Sequence, residues 1–156
     1  MPLSSATEKD LEAVTKQLGR PVRDIVAIAA RCSCGNPIVV QTKPRLEDGT
    51  PFPTVYYLTL PAATSAVSTL EAEGLMVKLQ DQLAQDEELS KNYQSAHLGY
   101  LSDRAELGVV EEIEGISAGG MPTRVKCLHS LIAHSLAKGP GVNMIGDLAL
   151  EACSWS

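Results

Sequence analysis

The stretch "VRDIVAIAARCSCGNPIVVQTK", residues 22–43, decides the fold class. Its two halves are rich in β-branched residues, which are typical of strands, and the "SCGN" between them favours a tight turn. This pattern predicts a β-hairpin. A third strand is predicted at "VYYLTL", residues 55–60, after a loop with several Pro and Gly residues. An antiparallel meander is the simplest pairing of three such strands.

A short helix is predicted before this hairpin. Thr7 and Asp10 have the spacing of a capping box, and apolar residues between Leu11 and Leu18 recur on one face before Gly19. Residues 1–6 have no such helical pattern, and we expect them to be flexible.

The second half of the chain has helical patterns throughout. Pro61 suits a first helical turn, Gly74 a break, and Gly108 the end of a long amphipathic helix. We predict another helix from near Pro122 to about Ala137, and a short one at "IGDLALEACSW". The prediction is therefore one α+β domain over residues 1–156, in which a small antiparallel sheet of about three strands packs with a mainly helical C-terminal half.

Composition excludes several classes of function. The net charge of -6 is opposite to that of a protein that binds nucleic acid backbones. The longest apolar run, "IVAIAA", is too short to span a membrane, and the N-terminus does not resemble a signal peptide. We therefore expect a cytoplasmic protein that contacts neither nucleic acid nor membrane. In that compartment disulfides are the least expected use of the four cysteines.

The densest chemistry lies in "SAGGMPTRVKCLHSLIAH", residues 117–134. If a helix starts near Pro122, Gly119 and Gly120 precede its N-terminus, and their backbone can approach an anion closely. Arg124 and Lys126 would lie in its first turns, where a basic side chain is disfavoured unless an anion compensates. These four residues predict a site for a small anion or a phosphate-containing ligand. The alternative is a flexible turn with two solvated side chains.

The same segment suggests a metal site. Cys127 and His134 are two helical turns apart on one face, and Cys32 and Cys34 lie together at a strand end before a glycine. These four soft donors are the kind of set that zinc prefers. Each of these residues, and His129, also fits an ordinary structural role.

Several motifs resemble those of one family: "RCSCGNP", "DGTPFPTVYYLT", "LEAEGLM" and "GISAGGMPTRVKCLHSLIAHSLAKGPGVN". They are similar to the domain of unknown function 501 family, found mainly in actinobacteria, over roughly residues 18–150. The resemblance implies a cytoplasmic bacterial protein. Genes of this family tend to lie near those for a septum-formation initiator and an exopolyphosphatase-like protein. The family pattern has a cysteine where this chain has Leu60. If the resemblance implies that this cysteine is a fourth metal ligand, His129, His134 or Cys153 would have to replace it here.

Three functions follow from these expectations. The first is a zinc site joined to an anion site, with either a structural or a catalytic metal. The second is a metal-free thiol enzyme in which Cys127 is the nucleophile, His134 or His129 the base, and Arg124 binds an anionic substrate. A predicted position of Cys127 beyond the first helical turn disfavours it. The third is a non-catalytic module that binds a cell-division partner, so whether the protein is an enzyme is open at this point.

Overall fold

A computed structural model of the protein describes residues 3–155. Its elements, in chain order, are β1 (Ser4–Ser5), α1 (Glu8–Leu18), β2 (Ile25–Arg31), β3 (Pro37–Thr42), β4 (Tyr56–Leu58), α2 (Pro61–Ala72), α3 (Leu75–Gln85), α4 (Glu87–Leu107), a 3-10 turn (Glu111–Ile113), α5 (Leu128–Lys138) and α6 (Met144–Ala152). The predicted α+β class is confirmed: a four-stranded antiparallel sheet precedes most of the helices.

The sheet has the strand order β1-β2-β3-β4, so each strand pairs with its neighbour in sequence. The predicted hairpin of β2 and β3 is present, with Ile28 opposite Val40, and β4 adds to the other side of β3. β1 extends the prediction by a fourth strand. Its two residues are serines that offer no apolar alternation, so nothing in their sequence indicates a strand.

The two faces of the sheet are covered differently. Val39 belongs to the main core, which α5 completes with Leu128, Leu131 and Ile132. The next residue, Val40, points to the other face, where it packs with Val14 of α1 in a smaller cluster. The sheet therefore separates a thick helical layer from a thin layer that consists mainly of α1.

Most helix boundaries agree with the sequence signals. Thr7 and Asp10 form the predicted capping box, and the left-handed Gly19 ends α1. Pro61 begins α2, and α4 ends before Gly108. None of the helices within residues 3–155 is long and apolar enough to cross a membrane.

The predicted start of the fifth helix near Pro122 is wrong. α5 begins at Leu128, and Cys127 is its N-cap. The preceding segment forms turns instead, in which Lys126 N donates to Gly119 O (2.7 Å) and Arg124 N donates to Gly120 O (2.9 Å). Both glycines have positive φ, a backbone conformation that a right-handed helix excludes.

Part of the predicted flexible segment 1–6 is described by the structure. Ser4 and Ser5 pair with Ile28 and Ala27 of β2. Residues 1 and 2 of that prediction lie outside the described residues.

Candidate metal centre

The segment that leads into α5 is held by side chains from other helices. Gln80 of α3 accepts a hydrogen bond from Val125 N (2.9 Å) and donates one to Thr123 O (3.0 Å). Tyr93 of α4 donates to Arg124 O (2.6 Å). A side chain at Gly119 would collide with Leu131, so only glycine allows this segment to lie against α5. These contacts fix where the helix begins and where Cys127 lies.

The N-terminus of α5 is capped by a residue distant in sequence. Cys127 forms no capping hydrogen bond, and Leu128 N instead donates to the Glu71 carboxylate of α2 (2.9 Å). A carboxylate at this position satisfies one of the free amides of the helix start and favours the positive end of its dipole. Glu71 is thereby placed beside the first residues of α5.

His129 lies in the first turn of α5 and faces α2. Its Nδ1 is 3.4 Å from Glu71 Oε2, and its Nε2 is 3.2 Å from Thr64 O and 3.3 Å from Ser68 Oγ. A carbonyl only accepts, so the ring donates from Nε2 to Thr64. In the neutral ring, Nδ1 then has a free lone pair that faces Glu71.

The charges of Cys127 and His129 are coupled. Burial of Cys127 opposes ionisation, but interactions with the His129 ring and Ser130 outweigh it and lower the pKa of the thiol. The interaction with Cys127 raises the pKa of His129 to about 9 against the opposing effect of burial, and the Glu71 charge adds to it. In the metal-free protein this arrangement favours a thiolate beside an imidazolium.

Glu71, Cys127 and His129 form a group that could hold a metal ion. One ligand atom from each lies within 4.8 Å of the others, and all three residues are half-buried. Carboxylate oxygen, thiolate sulfur and imidazole nitrogen all occur as zinc ligands in proteins. Within residues 3–155 no other group of three such side chains comes together in this way.

This group differs from the ligand set that the sequence suggests. Cys32 and Cys34 are bonded to each other in the β2–β3 turn, with their Cα atoms 5.2 Å apart. The turn explains the pairing, because Gly35 N donates to Cys32 O (2.9 Å) and closes a four-residue turn that contains both cysteines. The expectation that disulfides are the least likely use of the cysteines is therefore corrected. As disulfide sulfurs, these two residues are not thiolate ligands.

His134, the fourth member of the suggested set, lies in the core. Its ring stacks on Tyr56 and meets Tyr100 edge-on, with centroids 5.8 Å and 5.0 Å away. Asn143 Nδ2 lies 3.1 Å from His134 Nδ1, and burial lowers the pKa of the ring to about 4, which keeps it neutral. Cys153, another candidate, is half-buried against the core at the end of α6.

The four residues suggested for an anion lie in the turns before α5. The carbonyls of Gly119 and Gly120 accept hydrogen bonds from this segment. Arg124 and Lys126 are exposed, and their side chains form no hydrogen bond or ion pair with residues 3–155. The first amide of α5 is already bonded to Glu71. The helix start is thus occupied by a carboxylate of the protein itself.

The fold and the site define an α+β protein in which a Glu–Cys–His group surrounds the start of a helix packed on the sheet. The chain belongs to the family described as protein of unknown function (DUF501), whose model matches residues 28–151. This confirms the resemblance read from the motifs. No curated protein and no solved structure gives a significant match. The matched span contains all three residues of the group, whereas β1 and α1 precede it.

Sequence reasoning named two of the three residues of the group. Cys127 and His129 were both candidates, but Glu71 was not. In "LEAEGLM" it resembles any acidic residue near the end of a surface helix. Its only sequence signal is the helix break at Gly74, which ends α2 shortly after it. That signal does not indicate a contact with a residue 57 positions away.

Proposed function

We propose that this protein binds one zinc ion through Glu71, Cys127 and His129, and that a fourth position is left for water or an anion. The observation that carries the proposal is the convergence of three different zinc-ligand atoms within 4.8 Å. The convergence needs residues from two helices that are far apart in sequence. It therefore does not follow from helical spacing alone.

The surroundings of His129 support a ligand role. Metal-bound histidines nearly always donate their second ring N–H to a carbonyl or carboxylate, which fixes the tautomer and the ring orientation. The Nε2 contact with Thr64 O has this form, and it leaves Nδ1 for the metal. Glu71 is oriented in the same way, because Leu128 N holds Oε2.

Three protein ligands with one open position are the pattern of catalytic rather than structural zinc sites. A zinc ion in such a site lowers the pKa of bound water to about 7 and supplies a hydroxide for hydrolysis. Arg124 and Lys126 add two exposed positive charges on the segment before Cys127. We therefore propose that the fourth position accepts an anionic substrate, of phosphate or carboxylate type, or its attacking water.

The test is a competition titration of zinc against a chromophoric chelator, with a parallel cobalt titration. We expect one zinc per chain and a cobalt–thiolate absorption band. Cys127→Ser and His129→Gln should each lower the zinc affinity by more than about a hundredfold, beyond the effect of losing an outer partner. Cys153→Ser is the matched control and should bind zinc like the parent. Equal zinc affinity in the parent and in both site variants would rule out the site.

A second function is favoured by one specific observation, the N-cap position of Cys127. This position reverses the argument that Cys127 lies too far into the helix for activation by the dipole. Helix N-termini and a neighbouring histidine are the surroundings of nucleophilic cysteines. We propose, as the alternative, a metal-free thiol nucleophile with His129 as its base.

Iodoacetamide labelling with peptide mapping separates the two functions. In chelator, both predict that Cys127 reacts faster than Cys153 and that His129→Gln slows this reaction. With one equivalent of zinc, the metal site predicts that Cys127 becomes protected, because its thiolate is bound to the ion. Fast labelling of Cys127 that zinc leaves unchanged would favour the thiol enzyme instead.

A further inference from the structure

A pocket lies on the opposite face of the sheet from α5. It has a volume of about 430 Å³ and lies between the segment after α1, the face of the sheet that carries Val40 and the loop after β3. Because α1 is short, it covers only part of this face. The residues that line the pocket include none of Glu71, Cys127 and His129.

The floor of the pocket is apolar. Leu18, Ile25 and Val40 line it together with the rings of Phe52 and Tyr57. The two rings are 6.2 Å apart and inclined by 54°, so they form an angled aromatic wall. Phe52 is the single phenylalanine of the chain. A flat apolar group fits such a floor and is released from water when it binds.

The walls of the pocket are tied together by Asp24. This residue has φ 65°, a left-handed conformation that is uncommon outside glycine. Its carbonyl accepts a hydrogen bond from Lys43 N (3.0 Å), and its carboxylate accepts one from Glu47 N (2.9 Å). The segment after α1 is thereby fixed to the loop after β3. These two hydrogen bonds hold the two walls of the pocket in a fixed position relative to each other.

Of the charged groups at the rim of the pocket, two carboxylates have hydrogen-bond partners and two guanidinium groups have none among the described residues. The carboxylate of Asp24 is bonded to the loop backbone, and so is that of Asp48, which accepts from Thr50 N (2.9 Å). That backbone bond lowers the pKa of Asp48, and the Arg23 charge adds to the effect. Arg20 and Arg23 also line the pocket, and neither donates a side-chain hydrogen bond within residues 3–155. Their guanidinium donors are the unused polar groups of the site.

We propose that this pocket binds a small organic molecule that combines a flat apolar body with one anionic group. The body lies on Val40 and the Phe52–Tyr57 wall, and the anion pairs with Arg20 and Arg23. Guanidinium groups suit this role because they present several donors in a plane that matches a carboxylate, phosphate or sulfonate. The carboxylates of Asp24, Glu47 and Asp48, which also line the pocket, disfavour ligands with more than one negative charge.

The experiment uses two probes of the same shape, 2-naphthoate and the neutral 2-naphthalenemethanol. Each is titrated into the full chain, and amide shifts are followed by two-dimensional NMR. We expect saturable shifts confined to the pocket, with 2-naphthoate bound about tenfold tighter, the effect of a charge-assisted hydrogen bond. Arg23→Gln should reduce this preference, because Arg20 alone then pairs with the anion, and Glu47→Gln should increase it.

Lys16→Gln is the matched control. It removes one positive charge from the exposed side of α1, away from the residues that line the pocket, and should bind both probes like the parent. The absence of saturable shifts with either probe would overturn the proposal. Equal affinity for the two probes, or an equal loss in Lys16→Gln and Arg23→Gln, would also overturn it, because net charge rather than the two arginines would then explain binding.

Discussion

Helices α1 and α5 both begin at a carboxylate, but the two carboxylates reach their helices differently. In α1 the carboxylate is Asp10, which accepts a hydrogen bond from Thr7 N (3.0 Å) within the same capping box. In α5 it is Glu71, which accepts from Leu128 N across 57 positions of sequence. One cap is local and the other is made by the tertiary fold.

The difference explains why one helix start is structural and the other is a candidate site. Thr7 and Asp10 bond to each other, and Arg31 binds both oxygens of Asp10 at 2.7 Å, so the Thr7 hydroxyl and the Asp10 carboxylate are already occupied. At α5 the N-cap is Cys127, which caps nothing, and Glu71 serves the helix with a single oxygen. A cap supplied from another helix leaves the thiol and the imidazole available for chemistry.

The largest effect should come from disturbing the packing that positions α5. Gly146 of α6 touches α5 so closely that an added methyl group would collide with the Leu131 carbonyl and the Ser135 hydroxyl. We expect Gly146→Ala to lower the free energy of unfolding by about 3 kcal/mol, measured by urea denaturation. Gly99→Ala is the control, because nothing lies within 4 Å of the added group there. It should raise stability by about 0.5–1 kcal/mol; a similar loss in both would refute the close contact.

A smaller loss is expected when the local cap of α1 is weakened. Asp10→Asn removes the charge that binds Arg31 through two hydrogen bonds, and should cost about 2 kcal/mol. Glu12→Gln, an exposed change on the same helix, should stay within about 0.5 kcal/mol. The measurement is again urea denaturation at neutral pH. If the two variants are equally stable, the ion pair contributes nothing.

The same ion pair should make stability depend on pH. The Arg31 guanidinium beside Asp10 holds the pKa of this carboxyl well below its usual range, although burial opposes the effect. A group whose pKa is lowered on folding stabilises the protein above its unfolded pKa, about 3.9, and this stabilisation is lost as the pH falls below that value. The stability difference between the parent and Asp10→Asn should therefore shrink from pH 6 to pH 2. A constant difference would show that the charge is not its source.

The remote cap of α5 should behave in the opposite way to the local cap of α1. Glu71→Gln keeps an oxygen that accepts from Leu128 N, so we expect a stability loss below about 1 kcal/mol. Zinc affinity should nevertheless fall by more than about tenfold, because an anionic ligand is replaced by a neutral one. Glu73→Gln, an exposed change two residues further on, is the control for both measurements. A large stability loss with unchanged zinc affinity would make Glu71 a purely structural cap.

The comparison also explains how far the sequence predicts the fold. α1, the β2–β3 hairpin and the start of α2 at Pro61 are specified by residues within a few positions of one another, and all are found as predicted. The start of α5 is not specified in that way. Proline is common at the first position of helices, but Gln80 and Tyr93 bind the backbone after Pro122, and the helix begins only at Leu128.

The candidate site shows the same limit. The sequence identifies Cys127 and His129 by residue type alone, and this does not depend on where the helix begins. Their grouping with Glu71 depends on how α2 packs against α5. No local pattern in a single sequence gives the distance between side chains on these two helices. The Cys32 and Cys34 pair was visible as well, but its spacing fits a shared metal and a disulfide equally well.

The most direct test of the zinc site is zinc X-ray absorption spectroscopy on the full chain loaded with one equivalent of zinc. Binding by Glu71, Cys127 and His129 predicts a single sulfur neighbour at about 2.3 Å and about three nitrogen or oxygen neighbours at about 2.0–2.1 Å. The sulfur contribution should disappear in Cys127→Ser and remain in Cys153→Ser. Two or more sulfur neighbours would require a cysteine besides Cys127 in the site, and a shell without sulfur would exclude Cys127. Either result would contradict the assignment of the metal to the start of α5.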